Sequence, residues 1–433
     1  MTATPSLLRA IGRWSLVAAV VNSVVGSGVF GLPSAVAALL GAWSPVAVLV
    51  AGACIFTIVL CFAEVGSRYE DPGGPYLYVR DAIGPAAGFQ IGWLHLWTRI
   101  LSAAAVLNVL VSYLAVILPW AGTPLGRAVT MIGGVAIVTA INVAGVRQSA
   151  WTVNLFTVAK LLPLVLLGAL GLARVDAGVL AAQRVAAPDW TEAVLLLVFA
   201  YGGFESSTVA AGETRDPRRD TAFALVVGML LITAIYAAVQ LAVVGTLPDA
   251  ATSTTPVASA LGRVLGVGGL TIGAVAVVLS VYGWLTGFAL MTPRIMYAMA
   301  RRGELPHHFG RVHLRARTPW VAIVANSLAA LAIALAGGFT QLATVAAIVR
   351  LLIFAMTCVA LVLLRRARGP APYRLPGGPF VAALGVGFCL WMLTTRSLAQ
   401  AWPLGAIVAA GVVVWLLGRS ARTAAGLELP ASR

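Results

Sequence analysis

The chain has 433 residues, of which 60% are hydrophobic and 10% are charged, and its mean hydropathy is +0.96. Soluble globular chains are about 45–50% apolar and about 25% charged, so this composition excludes a water-soluble enzyme, a nucleic-acid-binding module and a disordered protein. It predicts an all-α integral membrane protein that uses the lipid bilayer as its solvent. All four cysteines lie inside apolar runs, which indicates buried thiols rather than a disulfide framework.

Apolar runs long enough to cross a bilayer recur along the whole chain, separated by short polar stretches. We predict twelve transmembrane spans, at about residues 13–41, 44–66, 85–117, 127–145, 149–173, 191–213, 220–246, 266–300, 319–337, 340–364, 378–397 and 402–418. Two of these runs, the third and the eighth, exceed one bilayer thickness and predict long, tilted helices. The chain 1–433 is therefore predicted to be one transmembrane domain with short tails.

The net charge of +15 is unevenly distributed. Twenty of the 29 basic residues fall in the two tails and the even-numbered loops, whereas five fall in the opposite loops. The expected location is the plasma membrane, and the positive-inside rule places both termini in the cytoplasm. The rule also explains the charge without a nucleic-acid partner. The ionisable residues left at membrane depth are Glu64, Arg99, Lys160, Glu205, Arg294 and Arg350.

Glycines interrupt two spans at matching depth. Span 1 contains Val25-Gly26-Ser27-Gly28-Val29-Phe30-Gly31-Leu32-Pro33, and span 6 contains Phe199-Ala200-Tyr201-Gly202-Gly203-Phe204-Glu205. Glycine and proline disfavour a continuous helix, and lipid tolerates the freed backbone groups only where they line a cavity. Paired interruptions in corresponding halves therefore point to a transporter site. The alternative is that these glycines only permit close helix packing.

The spacing of these features predicts an internal repeat. The two interruptions are offset by roughly 175 residues, and Lys160 and Arg350 by roughly 190. We predict one repeat of five spans at about 13–173 and a second at about 191–364, with two extra helices at about 378–418. Because five is an odd number, the second repeat is predicted to be inverted in the membrane.

At several points the chain resembles the amino acid–polyamine–organocation (APC) transporters. The string 26–30 is similar to their glycine-rich first-helix motif, and 199–206 with 211–220 is similar to their sixth helix and the loop after it. Residues 72–76 and 294–306 resemble the segments after their second helix and at the end of their eighth. The resemblance implies a LeuT-like fold with broken helices 1 and 6, alternating access, and an amino acid or related amine as substrate.

The substrate is expected between the two breaks. Each first half-helix ends in free carbonyls that can accept from an ammonium group, and a half-helix N-terminus suits a carboxylate. The predicted substrate-binding residues are Val21, Asn22, Ser23, Val25, Gly26, Ser27, Gly28, Val29, Phe199, Ala200, Tyr201 and Gly202. Phe199 and Tyr201 are either lids over the substrate or packing residues. The small pocket residues favour a neutral side chain, while Glu205 leaves a cationic amino acid or a polyamine open.

Lys160 is the single lysine of the chain and lies in the middle of span 5. An ionisable group at membrane depth is a functional candidate, and a desolvated lysine can lose its proton whereas arginine essentially cannot. In some APC members a lysine at the matching point occupies the cation position of sodium-coupled relatives. By that resemblance, Lys160 contacts carbonyls in 21–25 and the hydroxyl of Ser280, and the coupling ion is a proton rather than sodium. The alternative is a fixed structural ammonium.

The remaining buried charges have several possible roles. Glu205 is predicted to carry protons, to pair with Arg99, or to cap the second half-helix. Arg350 is predicted to pair internally or to bond backbone carbonyls, and Glu64 to pair internally or to face a polar vestibule. His95 is a lone histidine on an apolar span, which is typical of a satisfied core residue.

The leading hypothesis is a proton-coupled secondary transporter of amino acids, with obligate exchange as its main competitor. An intramembrane enzyme would need a converging catalytic set, and no aspartate lies at membrane depth. The sequence carries no phosphate-binding loop and no paired metal-ligand motif, so no metal and no other cofactor is expected. A channel is disfavoured because broken helices in inverted halves are typical of alternating access.

Overall fold

The computed structural model describes residues 12–69, 73–145, 150–207 and 217–424, and its regular structure there is helical throughout. Pro72, the loop motif 211–216 and both chain ends, with their predicted cytoplasmic arginines, lie outside the described residues. The helices of the first half are α1 (Arg13–Val24), α2 (Ser27–Leu40), α3 (Ser44–Gly66), α4 (Pro75–Ala82), α5 (Pro85–Ile117), α6 (Pro124–Val143), α7 (Ala150–Leu166), α8 (Ala177–Ala182), α9 (Trp190–Tyr201) and α10 (Phe204–Ser207). The helices of the second half are α11 (Pro217–Thr246), α12 (Pro256–Leu265), α13 (Val267–Arg301), α14 (Trp320–Ala336), α15 (Phe339–Arg368), α16 (Gly378–Thr394) and α17 (Leu398–Ala424).

The helix lengths make the chain a multi-pass membrane protein. Seven apolar stretches of the described chain are long enough to cross a bilayer, and five further apolar helices have 10–17 residues. The predicted spans 44–66 and 85–117 coincide with α3 and α5. Helices α4, α8 and α12 were not predicted, because short helices between spans leave no long apolar run. The count of twelve spans and the inverted repeat stay predictions.

Two helices are interrupted where the glycines fall. The chain leaves the helical conformation at Val25 and Gly26, where α1 ends and α2 has not begun. It does so again at Gly202 and Gly203, between α9 and α10. Pro33, expected to help break span 1, instead lies inside α2. A proline in a helix frees one carbonyl of the preceding turn but leaves the remaining ladder intact, so the glycines alone set the break.

Two of the most buried apolar helices lie next to the breaks. In α5 and α15 the apolar stretches are 72% buried, whereas in α17 the corresponding value is 6%. Helix α17 therefore lies at the periphery, where its apolar side chains face the lipid, and α5 and α15 lie next to the breaks. This arrangement surrounds the freed backbone groups with protein, as a membrane interior requires.

Candidate functional site

The first break leaves backbone carbonyls at the end of α1, and protein donors reach two of them. The Nζ of Lys160 donates to the carbonyl oxygen of Asn22 at 2.7 Å. The hydroxyl of Tyr236 on α11 lies 3.2 Å from the carbonyl oxygen of Val24. These two carbonyls therefore have hydrogen-bond donors on α7 and α11.

The start of α2 carries a partial positive charge, opposite in sign to the carbonyl oxygens at the end of α1. Gly26 precedes the helix and has no side chain to cap it, and Ser27 and Gly28 are buried. The first-turn N–H groups have no intrahelical partners, so they present a partial positive charge. A Cβ at Gly28 would lie 2.6 Å from the Cα of Ala200, so α2 packs directly on α9 here. The site thus places the partially positive start of α2 beside the neighbouring break.

The two breaks are in direct contact. The hydroxyl of Ser23 donates to the carbonyl oxygen of Gly203 at 2.8 Å. Gly203 has a φ of 122°, a conformation that L side chains rarely adopt, and a Cβ there would lie 2.5 Å from the carbonyl oxygen of Ser23. Glycine at this position therefore lets the chain turn and lets α1 approach it.

The two aromatic side chains of the second break face different surroundings. The hydroxyl of Tyr201 donates to the carbonyl oxygen of Val48 in α3 at 2.8 Å, and the side chain is fully buried. That hydrogen bond directs the side chain into α3, which favours the packing alternative over a lid. Phe199 packs edge-on against Phe339 with ring centroids 6.2 Å apart, and it lies within 5.9 Å of the Arg350 guanidinium. It remains a candidate lid.

Glu205 lies just after the second break and is the centre of a buried ion pair. The Nε of Arg350 is 3.2 Å from its Oε1, and the backbone N–H of Gly203 donates to its Oε2 at 2.8 Å. Arg350 also donates through Nη1 to the carbonyl oxygen of Phe199 at 3.3 Å. A Cβ at Gly202 would overlap the guanidinium of Arg350, so this pair depends on glycine at the break.

The predicted pairing of Glu205 with Arg99 is wrong. Within the described part of the chain the guanidinium of Arg99 forms no ion pair and lies over the ring of Trp284, with its Cζ 4.9 Å from the centroid. Arg350 on α15 and the Gly203 N–H bind the carboxylate instead. Sequence alone does not reveal which of two arginines on different helices reaches a carboxylate.

Lys160 points at the end of α1. Its side chain is 4% exposed, and its ammonium donates to the carbonyl oxygen of Asn22, within the predicted segment. The predicted contact with the hydroxyl of Ser280 is not a hydrogen bond in the structure, although Ser280 is buried. The ammonium is instead directed toward the negative end of the α1 dipole.

Glu64 does not face a vestibule. Its two oxygens accept from Nε and Nη2 of Arg365 at 2.6 and 2.5 Å, and the backbone N–H of Leu375 donates to it at 2.9 Å. Arg68, in the turn just after α3, lies 3.8 Å away. A fork-shaped guanidinium matches a carboxylate in two places, which makes this a structural clamp between α3, α15 and the segment before α16.

Sequence reasoning did not find two features of the site. The hydroxyl of Tyr236 lies 3.2 Å from the carbonyl oxygens of both Val24 and Ala200, one at each break. The second feature is on α5, where the Nδ1 of His95 and the Oγ of Ser102 are buried without a hydrogen-bond partner among the described residues. His95 was interpreted as a satisfied core residue, and that interpretation is wrong. The signal for this second feature is the spacing of His95, Arg99 and Ser102 along one helix face.

Comparison with known proteins identifies relatives over most of the chain. The family model described as amino acid permease matches residues 11–417. The serine/threonine exchanger SteT of Bacillus subtilis is 28% identical, over 94% of this chain and 95% of that protein. The branched-chain amino acid permease BcaP of the same organism is 27% identical, over 95% of this chain and 91% of its own length. The vacuolar cationic amino acid transporter 2 of Arabidopsis thaliana is 28% identical, over 83% of this chain and 60% of its own length.

Proposed function

Because this chain belongs to the amino acid permease family of the APC superfamily, we propose that it is a secondary active transporter that moves amino acids across the plasma membrane by alternating access. The observation that carries the proposal is the direct contact of two helix breaks deep in the bundle. Such breaks place free helix ends of both polarities in one site, which is what a zwitterionic substrate needs. The proposed topology has twelve spans, two inverted repeats of five spans and both termini in the cytoplasm.

The backbone of the two breaks would recognise the part that all amino acids share. The α-carboxylate binds the first-turn N–H groups of Ser27, Gly28 and Val29, as anions do at helix N-termini. The α-ammonium binds carbonyls at the ends of α1 and α9. In this structure Arg350 already donates to the carbonyl of Phe199, at a long 3.3 Å. A substrate ammonium would replace that donor, so substrate binding would act on the Arg350–Glu205 pair.

Coupling to protons is proposed for Lys160, with Glu205 as a second proton-carrying group and Ser280 only as a neighbour on α13. The ammonium holds the carbonyl of Asn22 at the very end of α1. Loss of its proton would weaken that hold and release the first break. Sodium is the less favoured ion, because an ammonium already stands where a cation would bind the α1 carbonyls.

Obligate exchange is the competing transport mode, and the printed name of one relative, an exchanger of serine and threonine, favours it. A cationic amino acid or polyamine is the less favoured substrate, because three cations, Arg99, Lys160 and Arg350, surround the two breaks against the single carboxylate of Glu205 within the described chain. The pocket composition alone favours a neutral side chain. An enzymatic role is not proposed, since the named relatives are an exchanger, a permease and a transporter.

The test is transport by the purified chain in proteoliposomes, after a thermal-shift screen against amino acids and amines. We expect amino acids to raise the unfolding temperature and to be taken up when a proton gradient is imposed, and not when a sodium gradient replaces it. Uptake that requires internal amino acid and ignores both gradients would assign exchange instead. Stabilisation by non-amine compounds alone would contradict the proposed function.

A further inference from the structure

One face of α5 carries three polar groups that the proposed function has not used. His95, Arg99 and Ser102 are spaced four and three residues apart, so they lie on the same face of the helix. We call them the α5 stripe. The Nδ1 of His95 and the Oγ of Ser102 are buried without a hydrogen-bond partner among the described residues. Arg99 has the ring of Trp284 beneath it and no carboxylate or carbonyl acceptor within the described chain.

The α5 stripe lies beside both helix breaks. Trp284, which supports the guanidinium of Arg99, has its Nε1 3.5 Å from where a Cβ of Gly26 would stand. His95 and Arg99 are both within electrostatic range of the Glu205 carboxylate and of Arg350 next to the second break. The stripe therefore faces the space between the breaks, where the side chain of a bound amino acid would project.

The charges around this space do not balance. Glu205 is engaged by Arg350, and the Lys160 ammonium donates to a carbonyl, whereas Arg99 has only an aromatic face. Arg99 is half-buried, and a partly desolvated cation is costly unless it is paired; a cation–π contact compensates only part of that cost. The guanidinium presents paired N–H donors whose geometry matches a carboxylate. A ligand that brings a carboxylate to Arg99 would supply the missing counter-charge.

We propose that the α5 stripe binds a carboxylate on the substrate side chain, so that acidic amino acids of the aspartate and glutamate type are the preferred substrates. This inference rests on the proposed function and replaces its neutral side-chain preference with an acidic one. The α-carboxylate remains at the N-terminus of α2, and the side-chain carboxylate accepts from Arg99. The hydroxyl of Ser102, less than one turn along α5 from Arg99, donates to the same carboxylate, and His95, one turn to the other side of Arg99, contributes a polar wall to the space.

The wild-type chain gives the first test. In proteoliposomes, L-glutamate and L-glutamine have the same shape and differ in the side-chain charge. We expect glutamate to compete for uptake on the order of tenfold more strongly than glutamine, since a charge-assisted hydrogen bond is about twice as strong as a neutral one and the half-buried guanidinium otherwise has no counter-charge among the described residues. L-Lysine should compete least.

Variants of Arg99 give the second test. Arg99→Gln should lower glutamate uptake by roughly tenfold or more while L-serine uptake is retained, and Arg99→Lys should give an intermediate value because it keeps the charge and loses the fork. Arg294→Gln is the matched control. Arg294 lies exposed on α13 and donates to the sulfur of Met291, so both uptake rates should stay unchanged.

The outcomes separate this inference from the proposed function. Equal competition by glutamate and glutamine in the wild type overturns the acidic preference and leaves amino acid transport standing. Equal losses of glutamate and serine uptake in Arg99→Gln, with Arg99→Lys like wild type for both, also overturn it, because the guanidinium would then be structural. Transport of no amino acid by the wild type overturns both proposals.

Discussion

Two buried carboxylate–guanidinium pairs have contrasting surroundings. Glu64 and Arg365 meet in two short hydrogen bonds of 2.6 and 2.5 Å, inside continuous helices and beside a further backbone donor. Glu205 and Arg350 meet at 3.2 Å, directly after a helix break and close to a further cation, Arg99. Both carboxylates are almost completely buried, so burial alone does not distinguish them.

The groups that each pair contacts, rather than its depth in the bundle, distinguish the two pairs. The first pair ties α3 to α15 through two hydrogen bonds, with Arg68 as a second cation 3.8 Å from Glu64. The second pair shares its arginine with the carbonyl of Phe199, at the end of α9. A substrate ammonium at that carbonyl would shift Arg350, so the second pair can respond to substrate while the first holds the bundle together.

Removing the charge of the first pair should have the largest effect, and it should act on stability. Glu64→Gln leaves Arg365 without its counter-charge, and breaking a buried pair costs about 3–5 kcal/mol. We expect a clear drop in the thermal unfolding temperature of the purified protein, and per-molecule transport near wild type in whatever fraction folds. Unchanged unfolding together with lost transport would reverse the assignment of the two pairs.

Removing the charge of the second pair should act on transport. Glu205→Gln keeps an acceptor for the Gly203 N–H but loses the charge that holds Arg350, and a charge-assisted hydrogen bond is worth about 1.5–3 kcal/mol, or roughly 10–100-fold in rate or affinity. Initial uptake rates at several substrate concentrations measure the effect. The double variant Glu205→Arg with Arg350→Glu is the control for pairing. If Glu205→Gln transports normally, the pair is not part of the mechanism.

Lys160, like the second pair, lies at a helix break. Its variants should separate substrate binding from proton coupling. Lys160→Arg keeps a positive charge near Asn22 but cannot release its proton, so uptake should lose its response to a pH gradient while substrate still stabilises the protein. Lys160→Ala removes the donor to α1 and should weaken both the response to the pH gradient and the stabilisation by substrate. Unchanged proton-driven uptake in Lys160→Ala would contradict the coupling role.

Two tyrosines should give the smallest and most specific effect. Tyr236→Phe removes the hydroxyl that lies between the carbonyls of Val24 and Ala200, which is worth about 0.5–1.5 kcal/mol, or a few-fold in substrate affinity. Tyr201→Phe removes a hydroxyl directed at Val48, away from the breaks, and is the matched control. Affinity from substrate-induced thermal shifts should change in the first variant alone. A change confined to Tyr201→Phe would restore that residue as a lid.

The sequence alone located the long apolar helices and the two helix breaks. Continuous apolar runs set the bounds of α3 and α5 to the residue, because a helix that crosses lipid must be apolar along its length. Glycine pairs located the breaks, since a glycine leaves the helical conformation at little cost. The position of Lys160 opposite the end of α1 came from a family resemblance, and the structure brings its ammonium to within 2.7 Å of Asn22.

Only the tertiary structure decided which polar groups meet. The sequence left open whether Glu205 pairs with Arg99, whether Tyr201 is a lid or a packing residue, and whether Glu64 pairs internally or faces a vestibule. The structure gives Arg350, Val48 and Arg365 as their respective partners. Each choice depends on the rotation of a helix about its own axis and on its depth relative to neighbours from distant parts of the chain. Apolar composition fixes neither quantity, because a helix buried on all sides shows little preference for one face. The pairing of charges was therefore settled by how the helices pack.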